Sequence, residues 1–168
     1  ITFTGSTATG AQIMSDAAFS GLKPVSLELG GKGPQVVFAD APDLDAAARL
    51  VAIGVSYNSG QVCFAGSRLV VEESIADEFL TKVARVMKYF KPGTTWDKDT
   101  SLPPVIHAGQ ANRIHSIVTH SIAEGAKLLC GGEFLEGRNG AYHYKPTILG
   151  GVTEDMTVYK QEVFGPVL

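Results

Sequence analysis

Cys63 lies in a segment of small and polar residues, 58–68, that reads NSGQVCFAGSR. A structural cysteine usually occupies an apolar run, where it packs as a small hydrophobe. Cys63 instead lies in a predicted loop between a helix and an apolar run at 69–71, where backbone amides can point at a ligand. This position favours a nucleophilic thiol. Taken alone, the pattern still leaves a buried, inert thiol as the alternative. The second cysteine, Cys130, lies in the apolar run KLLC and is predicted to be structural.

Glu28 lies between two leucines in the segment 25–32, which reads VSLELGGK. A carboxylate flanked by apolar residues loses solvation and becomes a better proton acceptor, as a general base must be. Most glutamates in short apolar runs are edge-strand residues that face water, so both interpretations stay open. The segment therefore offers a candidate general base.

A glycine turn occupies residues 3–10, which read FTGSTATG. Gly5 and Gly10 fit the spacing GxxxxG, but Ala11 stands where a phosphate-binding loop would have its lysine. This disfavours a nucleoside-triphosphate site. The turn instead predicts a helix N-terminus whose free amides and dipole meet a pyrophosphate, with Ser6 supplying a hydroxyl. An ordinary helix cap is the alternative.

The elements that must position these residues alternate between strands and helices. Short apolar runs predict strands at 1–4, 24–29, 35–38, 69–71, 127–130 and 147–149. Apolar residues at helical spacing predict helices at about 10–18, 44–55, 75–90 and 114–122. Residues 94–109 are predicted to form a loop, and residues 138–144 a polar turn. The alternation predicts an α/β fold with a mostly parallel sheet flanked by helices.

Four segments, in order along the chain, closely resemble motifs of the aldehyde dehydrogenase superfamily. They are FTGSTATG at 3–10, LELGGK at 27–32, GQVCFAGSR at 60–68 and EVFGPV at 162–167. Without the resemblance, Glu162 in the last segment would be interpreted as an exposed glutamate before a buried strand. With it, the expected fold is an aldehyde dehydrogenase-like catalytic domain.

The resemblance implies oxidation of an aldehyde to a carboxylic acid with NAD or NADP. Cys63 would attack the carbonyl carbon to form a thiohemiacetal, and hydride transfer to the nicotinamide would leave a thioester on the sulfur. Glu28 would activate the water that hydrolyses the thioester, and the backbone N–H of Cys63 would stabilise the oxyanion. The resemblance also implies a set of residues that bind the cofactor, namely Gly5, Ser6, Leu29, Glu162 and Phe164.

Composition excludes several other function classes. The chain has 168 residues and a formal net charge of −3, with no basic run, so nucleic acid is not an expected partner. No apolar stretch approaches the length of a membrane span. The four histidines are scattered and the aspartates at 40–45 have helix-cap spacing, so no metal site is predicted. Two cysteines make a disulfide framework implausible and favour the cytoplasm.

The resemblance also predicts a division of the chain. Residues 1–33 would be the C-terminal part of a cofactor-binding domain, and residues 34–168 a catalytic thiol domain that is truncated at its C-terminus. We expect the chain to represent about the middle third of such a polypeptide, and the whole protein to be a homo-oligomer, a dimer or a tetramer. The isolated chain is expected to bind cofactor poorly and to be inactive.

Two alternatives stay open at this stage. A CoA-acylating or phosphate-linked relative would use the same cysteine but release the thioester to another acceptor. Glu28 speaks against it, because hydrolysis needs a base and acyl transfer to CoA does not. The other alternative is a catalytically inactive structural protein with the same fold, against which the joint presence of Cys63, Glu28 and Glu162 argues.

Overall fold

The computed structural model describes residues 1–136 and 140–168. Thirteen helices and strands follow one another along these ranges. In chain order they are β1 (Thr2–Thr4), α1 (Thr7–Phe19), β2 (Ser26–Glu28), β3 (Pro34–Val37), α2 (Leu44–Ser56), β4 (Arg68–Val71), α3 (Ala76–Met87), α4 (Ala108–Ala123), β5 (Lys127–Cys130), β6 (Phe134–Glu136), β7 (Tyr142–Tyr144), β8 (Ile148–Gly150) and α5 (Thr157–Lys160).

The first compact unit comprises residues 1–31. Its strands β1 and β2 run parallel, with Thr4 opposite Glu28, and α1 connects them. The side chain of Ser6 caps α1 by accepting a hydrogen bond from the Thr9 amide. Gly10 is buried on this helix and lies against Leu29, because a Cβ at Gly10 would come within 2.7 Å of a leucine methyl group.

The second unit comprises residues 32–168. Its strands β3 and β4 are parallel, and α2 and α3 pack against each other beside them. Asp43 caps α2 by accepting a hydrogen bond from the Ala46 amide at 2.8 Å. The buried side chains of this layer form one core cluster, namely Val37, Ala48, Val51, Ala52, Val55, Phe79, Val83, Met87, Ile148 and Leu168.

A second core cluster lies under α4, where Ile114, Ile117 and Val118 are buried with Tyr144 and Val163. The neighbouring strand pairs, β5 with β8 and β6 with β7, are antiparallel. The α/β class is therefore confirmed, and the described residues contain parallel pairs in the first half of the chain and antiparallel pairs in the second.

Part of the predicted polar turn at 138–144 was wrong. Residues 142–144 form β7, which pairs with β6, and neither strand was predicted. Both strands are three residues long, which is too short for an alternating pattern to be visible in the sequence. The remainder of that prediction lies partly outside the described residues, at 138 and 139. Helix α4 also begins earlier than predicted, because the His107 imidazole caps it by accepting the Gln110 amide at 3.1 Å.

Candidate active site

The chain leaves α2 through a tight turn, Tyr57–Gly60, before it reaches the cysteine. Asn58, Ser59 and Gly60 all have left-handed backbone conformations, with φ of 50°, 55° and 71°. Three consecutive residues of this kind are costly for an L-amino-acid chain, because only glycine adopts the conformation without steric strain. The turn must therefore be held by its surroundings.

Cys63 is exposed in the loop that follows this turn. The Ala65 amide donates to the Val62 carbonyl at 3.1 Å, and the Ser67 amide donates to the Ala65 carbonyl at 2.8 Å. These short-range bonds fold the backbone sharply around the cysteine. The next side chain, Phe64, is also 80% exposed, so the loop presents two consecutive side chains outwards.

Gln35 on β3 fixes the C-terminal end of the cysteine loop, residues 58–68. Its side-chain amide donates to the Gly66 carbonyl at 2.6 Å and to the Val51 carbonyl of α2 at 3.2 Å. Gly66 also donates its amide to the Gly54 carbonyl at 3.3 Å. A Cβ at Gly66 would lie 2.4 Å from the Gln35 Cγ, which is why this position requires glycine.

The segment 162–167 lies directly against the cysteine loop. A Cβ at Gly60 would come within 2.1 Å of the carbonyl carbon of Gly165, so the two glycine backbones touch. Phe164 has a left-handed conformation with φ of 53°, and its ring is exposed at 36%. The structure therefore brings the segment of Cys63 together with that of Glu162 and Phe164, which are about 100 positions apart in the sequence.

Two side chains of α4 hold the backbone of this segment, and the sequence analysis missed both. Gln110 donates to the carbonyls of Val163 at 3.1 Å and Phe164 at 2.8 Å. Arg113 donates to the carbonyls of Val163 at 2.8 Å and Glu162 at 2.7 Å. The only sequence signal was their spacing of three, which places two donors on one face of the helix.

The charge of Lys32 interacts with a second cation and with a carboxylate of the same segment. Burial lowers the pKa of Lys32 to about 8; the Arg68 charge acts in the same direction, and the Glu162 charge opposes both. The Arg68 amide donates to the Gly33 carbonyl at 3.3 Å, and its guanidinium lies 5.4 Å from the Tyr159 ring centroid. Lys32 is thus under opposing influences, since Arg68 disfavours its charged form and Glu162 favours it.

The first unit contains the other predicted site residues. The Gly5 amide donates to the Glu28 carbonyl at 3.0 Å, which joins the glycine turn to the end of β2. The Ser6 hydroxyl accepts the Thr9 amide at 3.2 Å and lies 2.9 Å from the Thr9 hydroxyl. The side chains of Ser6 and Glu28 are exposed, and Leu29 packs on Gly10. The predicted site residues of the first unit thus lie close to one another, as do the segments that carry those of the second unit.

Two further observations concern the part of the chain that the structure describes, residues 1–136 and 140–168. In those ranges no group of three or more histidine, cysteine or acidic side chains is arranged to hold a metal ion. No helix there is long and apolar enough to cross a membrane.

The sequence as a whole decides the family. The model of the aldehyde dehydrogenase family matches residues 1–168. The chain belongs to the aldehyde dehydrogenase family. Human retinal dehydrogenase 2 is 47% identical to it over 167 residues, which are 99% of this chain and 32% of that protein.

Solved structures of family members agree. The aldehyde dehydrogenase KauB of Pseudomonas aeruginosa superimposes with a TM-score of 0.96 at 45% identity, covering 99% of this chain and 34% of that one. A single-residue variant of P. syringae AldA indole-3-acetaldehyde dehydrogenase, solved in complex with NAD+ and IAA, gives a TM-score of 0.96 at 42% identity and covers 99% and 34% of the two chains. The chain thus spans about a third of the length of the relatives it matches.

Proposed function

We propose that the whole protein oxidises an aldehyde to a carboxylic acid with NAD or NADP, and that Cys63 is its nucleophile. The observation that carries the proposal is the exposed Cys63, on a sharply folded loop whose Gly60 touches Gly165 of the EVFGPV segment. Membership of the aldehyde dehydrogenase family supports the reaction, and the NAD+ complex of the P. syringae relative supports the cofactor.

The residues that would hold the cofactor fit such a group. Helix α1 has 13 residues, and its first turn presents small side chains that let a phosphate approach the backbone. We assign Gly5 and Ser6 to this half of the cofactor, Glu162 and Phe164 to its nicotinamide half, and Leu29 to the cofactor site as a further contact. The Glu162 carboxylate can accept hydrogen bonds from a ribose diol. When bound, the cofactor supplies the hydride acceptor for the oxidation.

Cys63 would begin the reaction as a thiolate that attacks the carbonyl carbon of the aldehyde. The oxygen of the tetrahedral adduct becomes negatively charged, and the backbone N–H of Cys63 would donate a hydrogen bond to it. After oxidation the acyl group is a thioester on the sulfur. The sharp fold of the loop between Val62 and Ser67 keeps the sulfur accessible to a small substrate.

Glu28 would complete the cycle as the general base. Its carboxylate would accept a proton from a water molecule, which attacks the thioester carbonyl and releases the acid and the thiol. An available base favours hydrolysis over transfer to CoA, since CoA brings its own nucleophile. In this proposal residues 1–33 belong to a cofactor-binding domain and residues 34–168 to a catalytic domain, in a cytoplasmic homo-oligomer.

The test is to trap the acyl group. In the whole protein, Cys63→Ala should reduce NADH formation by at least about 10⁴-fold, as loss of a nucleophile does. After rapid acid quenching of the unaltered protein with an aldehyde and NAD, mass spectrometry should find the acyl adduct on the Cys63 peptide. Cys130→Ala is the matched control and should retain activity. An adduct on Cys130, or full activity of Cys63→Ala, would refute the assignment.

A further inference from the structure

The strained turn before Cys63 raises the question of what holds it. A non-glycine residue in the left-handed region costs about 1–2 kcal/mol, and Asn58 and Ser59 are both in that region. Such conformations persist only where surrounding contacts determine them, and they cluster at functional sites. The contacts of this turn therefore indicate how the cysteine is positioned.

Two side chains of the turn reach the segment 103–106. The Ser59 hydroxyl donates to the Pro103 carbonyl, and Ser59 is only 1% exposed. The Gln61 side-chain carbonyl oxygen accepts a hydrogen bond from the Ile106 amide at 2.9 Å. These bonds join residues that are 44 and 45 positions apart. They tie the stretch 58–61 to a part of the chain that is distant in sequence.

Gln61 also closes the turn on itself. Its Nε2 donates to the Asn58 carbonyl at 3.2 Å, and the Asn58 Nδ2 donates to the Gln61 carbonyl at 3.3 Å. The amide of Gln61 donates to the same Asn58 carbonyl at 3.2 Å. Gln61 therefore bonds to both sides, the strained turn and the segment 103–106.

The segment 103–106 is itself well fixed. Leu102 is fully buried, and its amide donates to the Lys91 carbonyl at 2.9 Å. Val105 is buried, and its amide donates to the Tyr142 carbonyl of β7 at 2.8 Å. Helix α4 begins at Ala108, two residues after Ile106. The segment is therefore anchored by backbone hydrogen bonds at Val105 and at Leu102, the residue before the segment.

We propose that Ser59 and Gln61 are positioning residues that hold the Cys63 sulfur in place by tying the strained turn to the segment 103–106. The proposal rests on the proposed function in so far as Cys63 is the nucleophile. Gln61 is two positions from Cys63, so loss of its bonds would let the sulfur move relative to the substrate. A misplacement of about 1 Å can cost roughly 100-fold in rate.

Two variants of Gln61, both made in the whole protein, separate the loss of its hydrogen bonds from a change in the size of its side chain. Gln61→Met keeps the length of the side chain but removes its donor and its acceptor. Gln61→Glu keeps an acceptor for the Ile106 amide, loses the donor to the Asn58 carbonyl and adds a negative charge two positions from Cys63. We expect Gln61→Met to lower kcat by about 10- to 100-fold with the KM for NAD within about twofold. Because the charge of Gln61→Glu lies near the nucleophile, this variant is compared by the exchange rate of the Ile106 amide and not by kcat. The matched control is Gln12→Met on the exposed surface of α1, which should leave kcat unchanged.

Hydrogen exchange provides a second readout that needs no activity. The Ile106 amide should exchange at least about tenfold faster in Gln61→Met and remain slow in Gln61→Glu and Gln12→Met. Ser59→Ala keeps the proposal testable if Gln61→Met fails to fold, and it should accelerate exchange at 58–61 while lowering kcat at unchanged KM. If the unaltered protein does not oxidise aldehydes, the proposed function fails, and the exchange rates still decide whether the turn is held this way.

Three outcomes would overturn the inference. One is a wild-type kcat in Gln61→Met. A second is equally fast exchange of the Ile106 amide in Gln61→Met and Gln61→Glu, because the retained acceptor would then not matter. The third is unchanged exchange at Ile106 in Gln61→Met together with unchanged exchange at 58–61 in Ser59→Ala.

Discussion

The glycine turn of the first unit and the cysteine loop of the second are both short loops beside a helix, but different contacts hold them. In the glycine turn, Ser6 bonds to Thr9 and Gly10, three and four positions away, and one amide joins the neighbouring strand. In the cysteine loop, the decisive contacts reach residues 35, 103, 106 and 165. The glycine turn depends on contacts between near neighbours in the sequence. The cysteine loop depends on contacts that form only when distant parts of the chain have come together.

The largest effect on the free energy of unfolding should come from Gly60, where the cysteine loop touches the segment 162–167. Gly60→Ala adds a Cβ at φ of 71°, within 2.1 Å of the Gly165 backbone. The backbone conformation costs about 1–2 kcal/mol and the clash about 1–3 more. We therefore expect urea unfolding to show a loss of about 3 kcal/mol in the free energy of unfolding.

A matched control separates the two costs of Gly60→Ala. Gly151 has φ of 66°, and no atom lies within 4 Å of the point where a Cβ would be, so Gly151→Ala should carry only the backbone cost. The difference between the two variants then measures the close approach of the loop to the segment 162–167. Equal losses in both variants would mean that the two segments are not in contact in solution.

The next effect is on turnover, because the proposal assigns deacylation of the Cys63 thioester to Glu28. Glu28→Gln preserves the shape of the side chain and removes its basicity, so steady-state turnover should fall by about 100-fold or more. The acyl adduct on Cys63 should accumulate, and stopped-flow absorbance should still show a burst of NADH before the slow phase. Turnover at the wild-type rate, or loss of the burst, would contradict a role in deacylation. Glu73→Gln, at an exposed position outside the site, is the control.

A smaller and local effect is expected at the glycine turn. Ser6→Ala removes the oxygen that accepts the Thr9 amide, and losing such a helix cap costs about 1 kcal/mol. Hydrogen exchange should accelerate at residues 7–10 and stay unchanged in the cysteine loop. Ser15→Ala on the exposed face of the same helix serves as the control. Accelerated exchange at 58–61 would contradict the local character of this turn.

This contrast explains which parts of the molecule could be predicted from the sequence. The apolar stripe of α2 predicted a helix at 44–55, and the structure has Leu44–Ser56. The partners of the cysteine loop could not be predicted, because Pro103, Ile106 and Gly165 all lie 40 or more positions from Cys63. The start of α4 was missed because histidine caps it, and histidine is not among the usual capping residues. The glycine turn, whose bonds are short-range, was recognised as a helix start.

The smallest effect tests the burial of Lys32, whose charge interacts with those of Arg68 and Glu162. The pKa of Lys32 is lowered from 10.5 to about 8 in the folded state, mainly because burial disfavours its charged form. Below pH 8 both states carry the proton, so the buried charge destabilises the folded protein. Between pH 8 and 10.5 the unfolded state binds more protons than the folded state, so stability rises with pH and the cost is progressively lost.

Lys32→Met removes this dependence and should be more stable than the unaltered protein at pH 7, by roughly 1 kcal/mol or less after solvent screening. Urea unfolding at pH 7, 8, 9 and 10 should show this advantage shrinking as the pH rises, beyond any change in the exposed control Lys127→Met. A Lys32→Met variant less stable than the unaltered protein at pH 7 would mean that Lys32 gains more from Glu162 than it loses by burial.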